Sequence, residues 1–333
     1  MLRLAPPGFQ RFLQTPCFEA TFGGGEANVA VALAGFGLPA AFVTVLPDKN
    51  ALADAVIAEL RRAGVDSSKI VRGRGRLGIY FVEAGANQRP SKVLYDREHS
   101  AIANAKPGDI RWQDAFAGMG WFHITGITPA LSCTAADLAL ESVRAAREAG
   151  LTISCDLNYR KNLWKWGKPP AEVMSDLILH VDIAMANEED VQMALGIKSE
   201  IDITSGKLDR SQYESLTKNV LAAYPNLKAV AITLRESKSA SHNSWSACMN
   251  DRQKFIASRS YEITHIVDRV GTGDSFAAGL IYGMQVLPDH QAALEFAVAA
   301  SCLKHSIAGD FHRCSVEEVQ SLLNSGGSGR VQR

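Results

Sequence analysis

Asp268-Arg269-Val270-Gly271-Thr272-Gly273-Asp274-Ser275-Phe276-Ala277-Ala278-Gly279 is the stretch from which the rest of the chain can be read. Gly271, Thr272 and Gly273 form a short segment ahead of an apolar, small-residue helix that begins near Asp274. Glycines let successive backbone N–H groups point one way. A helix N-terminus adds unpaired donors and a positive partial charge. Together they make an anion site, and phosphate is its commonest occupant. The segment closes on a carboxylate rather than a lysine. Plain phosphate binding has no use for Asp274 there. Phosphoryl transfer does, because a base must take the proton of the attacking hydroxyl. In isolation, Gly-x-Gly-Asp is equally well a helix cap on a simple loop.

A second glycine block points the same way. Gly23-Gly24-Gly25-Glu26-Ala27-Asn28 runs into Val29-Ala30-Val31-Ala32-Leu33-Ala34, a helix apolar on every side and therefore buried. Three glycines before Asn28 at a buried helix start suit either a loop needing positive φ or a close approach of something to the backbone.

Composition bounds the class. The 333 residues carry 35 Lys+Arg and 35 Asp+Glu, a net charge of zero, which suggests neither a nucleic-acid nor a membrane surface. No apolar run is long enough to span a bilayer, and no signal peptide opens the chain. Six cysteines without metal spacing read as reduced, buried thiols of a cytoplasmic protein. A small-molecule enzyme is the class these features leave.

Strand and helix patterns alternate from residue 27 to 323, which predicts a doubly wound, mainly parallel sheet flanked by helices. Strands are expected at 41–46, 121–125, 151–157, 182–186 and 228–234, with a further β segment near 244–257. Helices are expected at 51–63, 134–149, 290–307 and 315–323. Residues 1–22 and 76–97 break the alternation with short strands and form a small separate sheet, leaving 23–75 and 98–323 as the core. Residues 324–333, rich in Gly and Ser, read as a flexible tail. Polar residues cluster at strand ends, where ligands bind in such folds: Asp156-Leu157-Asn158-Tyr159-Arg160 and Asn187-Glu188-Glu189-Asp190.

The Asp268–Gly279 string resembles the second signature of the ribokinase (PfkB) family of carbohydrate kinases, and Gly24 to Asn28 resembles the first. The resemblance covers essentially the whole chain. It implies a ribokinase-like α/β fold with a small β lid that often makes the subunit contact, so a homo-oligomer joined through the lid is expected. It implies ATP and Mg²⁺ as cofactors, Gly271, Thr272 and Gly273 as the anion hole, and Asp274 as the catalytic base. Asn187 and Asp190 match the motif that organises Mg²⁺, with Asp190 one methylene short of the usual Glu. Arg235 would lie on the nucleotide side, Ala300 and Leu303 on the adenine wall. Asp268 with Gly309-Asp310 would order a monovalent cation.

Within the family, residues 1–8, the 23–28 block and the 156–160 string are similar to kinases of 2-keto-3-deoxygluconate. Such a sugar acid needs a cation that a neutral sugar does not, and Arg offers a fork that matches a carboxylate. Gly24, Asn28, Tyr80, Tyr95, Arg97 and Arg160 are the implied substrate contacts. One departure is visible: the chain begins partway through the family's first core strand, whose acidic sugar contact is then missing. A kinase of a neutral ketose or another keto-deoxy acid, and a nucleotide- or sugar-binding protein without turnover, are the competing readings.

Overall fold

The structure, a computed structural model, describes residues 1–198 and 210–325. In chain order its elements are β1 (Leu2–Ala5), β2 (Glu19–Phe22), α1 (Gly25–Gly35), β3 (Val45–Pro47), α2 (Ala51–Arg62), β4 (Val71–Gly73), β5 (Ile79–Glu83) and β6 (Lys92–Asp96). Then come α3 (Trp112–Phe116), β7 (Trp121–Thr125), α4 (Cys133–Glu148), β8 (Thr152–Asp156), α5 (Pro170–Ile178), β9 (Ile183–Ala186), α6 (Glu188–Leu195) and α7 (Arg210–Ala223). The chain closes with β10 (Ala229–Ser237), β11 (Asn243–Asn250), β12 (Phe255–Ala257), β13 (Tyr261–Ile263), α8 (Thr272–Val286), α9 (His290–Lys304) and α10 (Val316–Ser325).

The main sheet runs β12-β11-β10-β9-β8-β7, with β13 also on β11. Strands β7 to β10 are mutually parallel, and β11 to β13 add an antiparallel flank. Parallel strands must be covered on both faces, and alternate residues of β9 show it. Ala184 and Ala186 join a core with α4, α5, α6 and α7, while Ile183 and Met185 join one with α1, α8 and α9. The last glycine of the opening string belongs to this packing. A Cβ on Gly279 would stand 2.7 Å from Ala297 Cα, so α8 and α9 cross at a distance only glycine permits.

The small sheet has the order β2-β1-β5-β6 and is built from 1–22 and 76–97, as the alternation predicts. The chain therefore opens in this lid, and none of residues 1–22 enters the main sheet. The strand expected at 41–46 is shorter and shifted: Val45–Pro47 pairs with β4, and Ala41 makes an isolated bridge to Asp66. Two cysteines, Cys155 and Cys248, are buried as expected; Cys17 and Cys133 are exposed and Cys302 and Cys314 half-buried, all unpaired. The expected tail 324–333 lies mostly outside the described residues.

Candidate active site

A cleft of about 700 Å³ opens where the carboxyl ends of β8, β9 and β10 meet the lid and the start of α8. It is lined by Gly24, Asn28, Tyr80, Tyr95, Arg97, Arg160, Asn187, Asp190, Arg235, Gly271, Thr272, Gly273 and Asp274, so residues more than 240 positions apart in sequence converge on one space. Two sequence candidates fall outside it. Ala300 is fully buried between α8 and α9 and shows no surface to the cleft, and Leu303 packs on the same core. An apolar helix facing a core reads in sequence like one facing a ligand.

Gly271 caps α8 in the left-handed region at φ 83°. A Cβ there would be strained and would lie 2.1 Å from Asp310 O. Gly273 is different: its φ is not positive and its Cβ position faces open space. Among the described residues, Val270 N–H is taken by Asp268 Oδ1 at 3.0 Å and Thr272 N–H by Arg269 O at 3.4 Å. Ser275 N–H makes the first helical bond, to Gly271 O. Gly271, Gly273 and Asp274 thus keep free N–H donors. The free set is narrower than the glycine pattern alone suggests.

Asp274 is buried in the first turn of α8, 9% exposed, and Asn28 Nδ2 donates to its Oδ2 at 2.6 Å. Burial pushes this carboxyl up to about 7, with Asn28 opposing and the nearby Asp310 and Glu26 charges adding to the rise. Asn28 is itself held: its Oδ1 accepts from Gly24 N–H at 3.2 Å, and its Nδ2 also reaches Asp310 Oδ2 at 3.3 Å. Gly23 is required beneath them, since a Cβ there would overlap the Asp310 carboxylate. On the facing strand ends, burial and the neighbouring Asp190 and Asp274 charges hold the Asp156 carboxyl well above the usual carboxylate range.

The cations divide into two groups. Arg3, on lid strand β1, is 6% exposed and bridges Asp268 Oδ2 at 2.5 Å and Asp310 Oδ1 at 3.0 Å. Tyr80 donates its hydroxyl to the same Asp310. Arg97, at the end of β6, instead lies over the Tyr95 ring at 4.6 Å; its Nε is buried without a hydrogen-bond partner. Neither Arg97 nor Arg160 forms an ion pair among the described residues, and Arg160 donates only to Tyr159 O at 2.6 Å. Arg3 is absent from the residues singled out in the sequence: on an alternating lid strand nothing marks it, and its partners are 265 and 307 positions away.

The cofactor candidates can be tested against these contacts. Both oxygens of Asp190 are engaged, accepting from Asn187 N–H at 3.0 Å and Tyr159 N–H at 2.8 Å in a capping box, and no group of three metal-ligating side chains occurs among the described residues. That set fits a Mg²⁺ carried by phosphates and keeping its waters, with Glu188 and Glu189 the open acidic groups on the cleft wall. The free N–H donors and Arg235 fit nucleotide phosphates. A monovalent cation does not fit between Asp268 and Asp310. Arg3 already takes both carboxylates, and Lys304, wholly buried, donates to Ile307 O at 3.0 Å in the same loop.

Comparison with known proteins places this cleft in context. The profile of the pfkB family carbohydrate kinases matches residues 8–310. The chain is 30% identical over 329 residues to 2-dehydro-3-deoxygalactonokinase of Haloferax volcanii, covering 99% of this chain and 96% of the relative. It is 25% identical over 311 residues to 2-dehydro-3-deoxygluconokinase of Bacillus subtilis, covering 92% and 88%. The crystal structure of 2-dehydro-3-deoxygluconokinase from Thermotoga maritima superposes with a TM-score of 0.91 at 48% identity, over 97% of each chain. Among the described residues no helix is long and apolar enough to cross a membrane.

Proposed function

The chain belongs to the pfkB family of carbohydrate kinases, and on that footing we propose that it uses ATP to phosphorylate 2-keto-3-deoxygluconate (2-dehydro-3-deoxygluconate) on its 6-hydroxyl. The observation that carries the sugar-acid reading is Arg97. A guanidinium with a buried, unpartnered Nε and no carboxylate partner is costly in a closing cleft unless the ligand supplies the anion. Arg160 lines the same cleft and offers a second fork. The three relatives named above are kinases of deoxy-keto sugar acids, which supports the same substrate class.

In this reading Asp274 accepts the proton of the attacking hydroxyl. Its raised value near 7 places proton uptake close to working pH. Asn28 aims the carboxylate, and Gly24 N–H fixes Asn28. The free N–H groups of Gly271, Gly273 and Asp274 hold the negative charge that develops on the transferred group. Mg²⁺, when bound with the nucleotide, neutralises phosphate charge. The lid strands, with Tyr80 and Tyr95, cover the sugar. Exposed Phe9, Leu13 and Leu94 on that lid supply an apolar face for a second copy.

A coupled ADP assay over a panel tests the assignment: 2-keto-3-deoxygluconate, its galactonate epimer, fructose and ribose. The keto-deoxy acid should show the highest kcat/KM. Arg97→Ala should lower that value by about 10- to 150-fold and leave neutral sugars little changed, the range expected for a charge-assisted contact. Arg160→Lys should retain only part of the acid activity, since a point charge cannot fork. Faster turnover of a neutral ketose by the parent enzyme would overturn the substrate and leave the kinase.

A further inference from the structure

Strands β1 and β5 are parallel neighbours in the lid, and their register sets Arg3 beside Tyr80. Both side chains end on one carboxylate. Arg3 Nη1 donates to Asp310 Oδ1 at 3.0 Å, and Tyr80 gives its hydroxyl to the same oxygen. The other oxygen, Oδ2, accepts from Asn28 Nδ2 at 3.3 Å, and that nitrogen also donates to Asp274 Oδ2 at 2.6 Å. The two hydrogens of one amide are thus shared between Asp310 and Asp274. Arg3, Tyr80, Asp310, Asn28 and Asp274 are all buried, so water does not freely replace a missing partner.

An amide has an acceptor end and a donor end, and its neighbours decide which way it points. Gly24 N–H holds the Asn28 oxygen from one side at 3.2 Å. Asp310 holds the nitrogen from the other. Turned over, the amide would set its oxygen against the Asp274 carboxylate and repel it. Asp310 accepts best as an anion, and a buried anion needs a cation. Arg3 supplies it. Its Nη2 also donates to Asp268 Oδ2 at 2.5 Å, while Asp268 Oδ1 takes Val270 N–H at 3.0 Å. Lys304, the other cation near these acids, donates to Ile307 O at 3.0 Å and pairs with neither acid among the described residues. We propose that Arg3 is a positioning residue for proton transfer, acting from the lid through Asp310 and Asn28 on the aim of Asp274. The proposal rests on Asp274 being the base. An ion pair that only held the fold together would leave that aim unchanged in the folded protein.

Arg3→Met keeps an apolar stem and removes the fork. With the best substrate of the panel above, at a temperature where circular dichroism shows the variant folded, kcat should fall by roughly 10- to 100-fold, as for a catalytic group displaced by about 1 Å. KM for ATP should stay within about twofold, since the contact is not one with nucleotide. Arg3→Lys, which can reach only one of the two acids, should recover part of the loss and leave kcat about threefold or more below the parent's. Asn28→Ala removes the relay, and in that background Arg3→Met should lower kcat by less than about threefold further. A kcat of Arg3→Met close to the parent's, or full multiplication of the two losses in the double variant, would overturn the proposal. Should Arg3→Met fail to fold, the same cycle with Arg3→Lys decides, and a parental kcat overturns it. Asp274→Asn separates this from the reading beneath it. If that variant keeps turnover, the base assignment falls and the positioning role with it; if it loses turnover while Arg3→Met does not, only the positioning role falls.

Discussion

Replacing Asp274 by Asn should make the protein more stable at alkaline pH while removing its activity. The carboxyl stands at about 7 in the fold against an ordinary value of 3.8, chiefly because it is buried. Its proton is therefore held more tightly folded than unfolded. Above about pH 7 it is ionised in both states, and the folded state bears the whole penalty. As pH falls through 7 toward 3.8 the penalty fades. At about 1.36 kcal/mol per pH unit this amounts to at most about 4 kcal/mol. With about 2.1 cal/mol/K of unfolding entropy per residue, the variant's Tm at pH 8 should rise by up to about 6 °C, and the gap should shrink to less than half at pH 5. The new amide keeps an oxygen for Asn28 Nδ2, so the packing change is small. Turnover, followed by coupled ADP release, should fall by roughly 10²–10⁴, and parental kcat/KM should rise with pH and level off near 7. If the Asp274→Asn variant turns over within about threefold of the parent, or its Tm advantage is the same at pH 5 and pH 8, the reasoning fails.

Other consequences can be checked independently. Gly271→Ala should cost both stability and turnover, since its Cβ would strike Asp310 O at 2.1 Å, whereas Gly273→Ala should melt near the parent; equal melting of the two would contradict the strain argument. Turnover should be the same within about twofold in potassium, sodium or tetramethylammonium salts, because Arg3 and Lys304 already supply the cations around Asp268; a strong potassium requirement would refute it. Light scattering at micromolar concentration should give a mass at least twice 35.9 kDa, and Leu13→Asp with Leu94→Asp should lower it; a monodisperse parental monomer would exclude lid pairing.

How far the sequence could be read depended on whether a residue's role was written locally. Gly271 to Asp274 and Gly24 to Asn28 carry their meaning in their own backbone chemistry, and both blocks end in the cleft. The strand ends at Asp156 and Asn187 were legible because apolar runs stop there on polar groups. Arg3 was not, since its purpose lies in carboxylates at the far end of the chain. Helix α7 went unread although Tyr213, Leu216, Val220 and Leu221 recur at helical spacing on its buried face; a short stripe beside the polar Thr217 is a weak signal. The strand expected at 41–46 is longer in sequence than in the fold: its composition suits a buried strand, but its outer edge has no neighbour to pair with.

The bridge from Arg3 to Asp268 and Asp310 has a bearing on protein engineering. In a modular view, the lid could be exchanged between relatives to import a new sugar preference. Here the lid strand carries the counter-ion of the loop that precedes α8. A transplanted lid lacking arginine at position 3 would leave partly buried Asp268 and buried Asp310 without the guanidinium that bridges them, with Lys304 the remaining cation nearby, at a cost on the order of 3–5 kcal/mol. A chimaera would then lose its anion loop before its new specificity could be measured, so a successful graft must move Arg3 and its two acidic partners together.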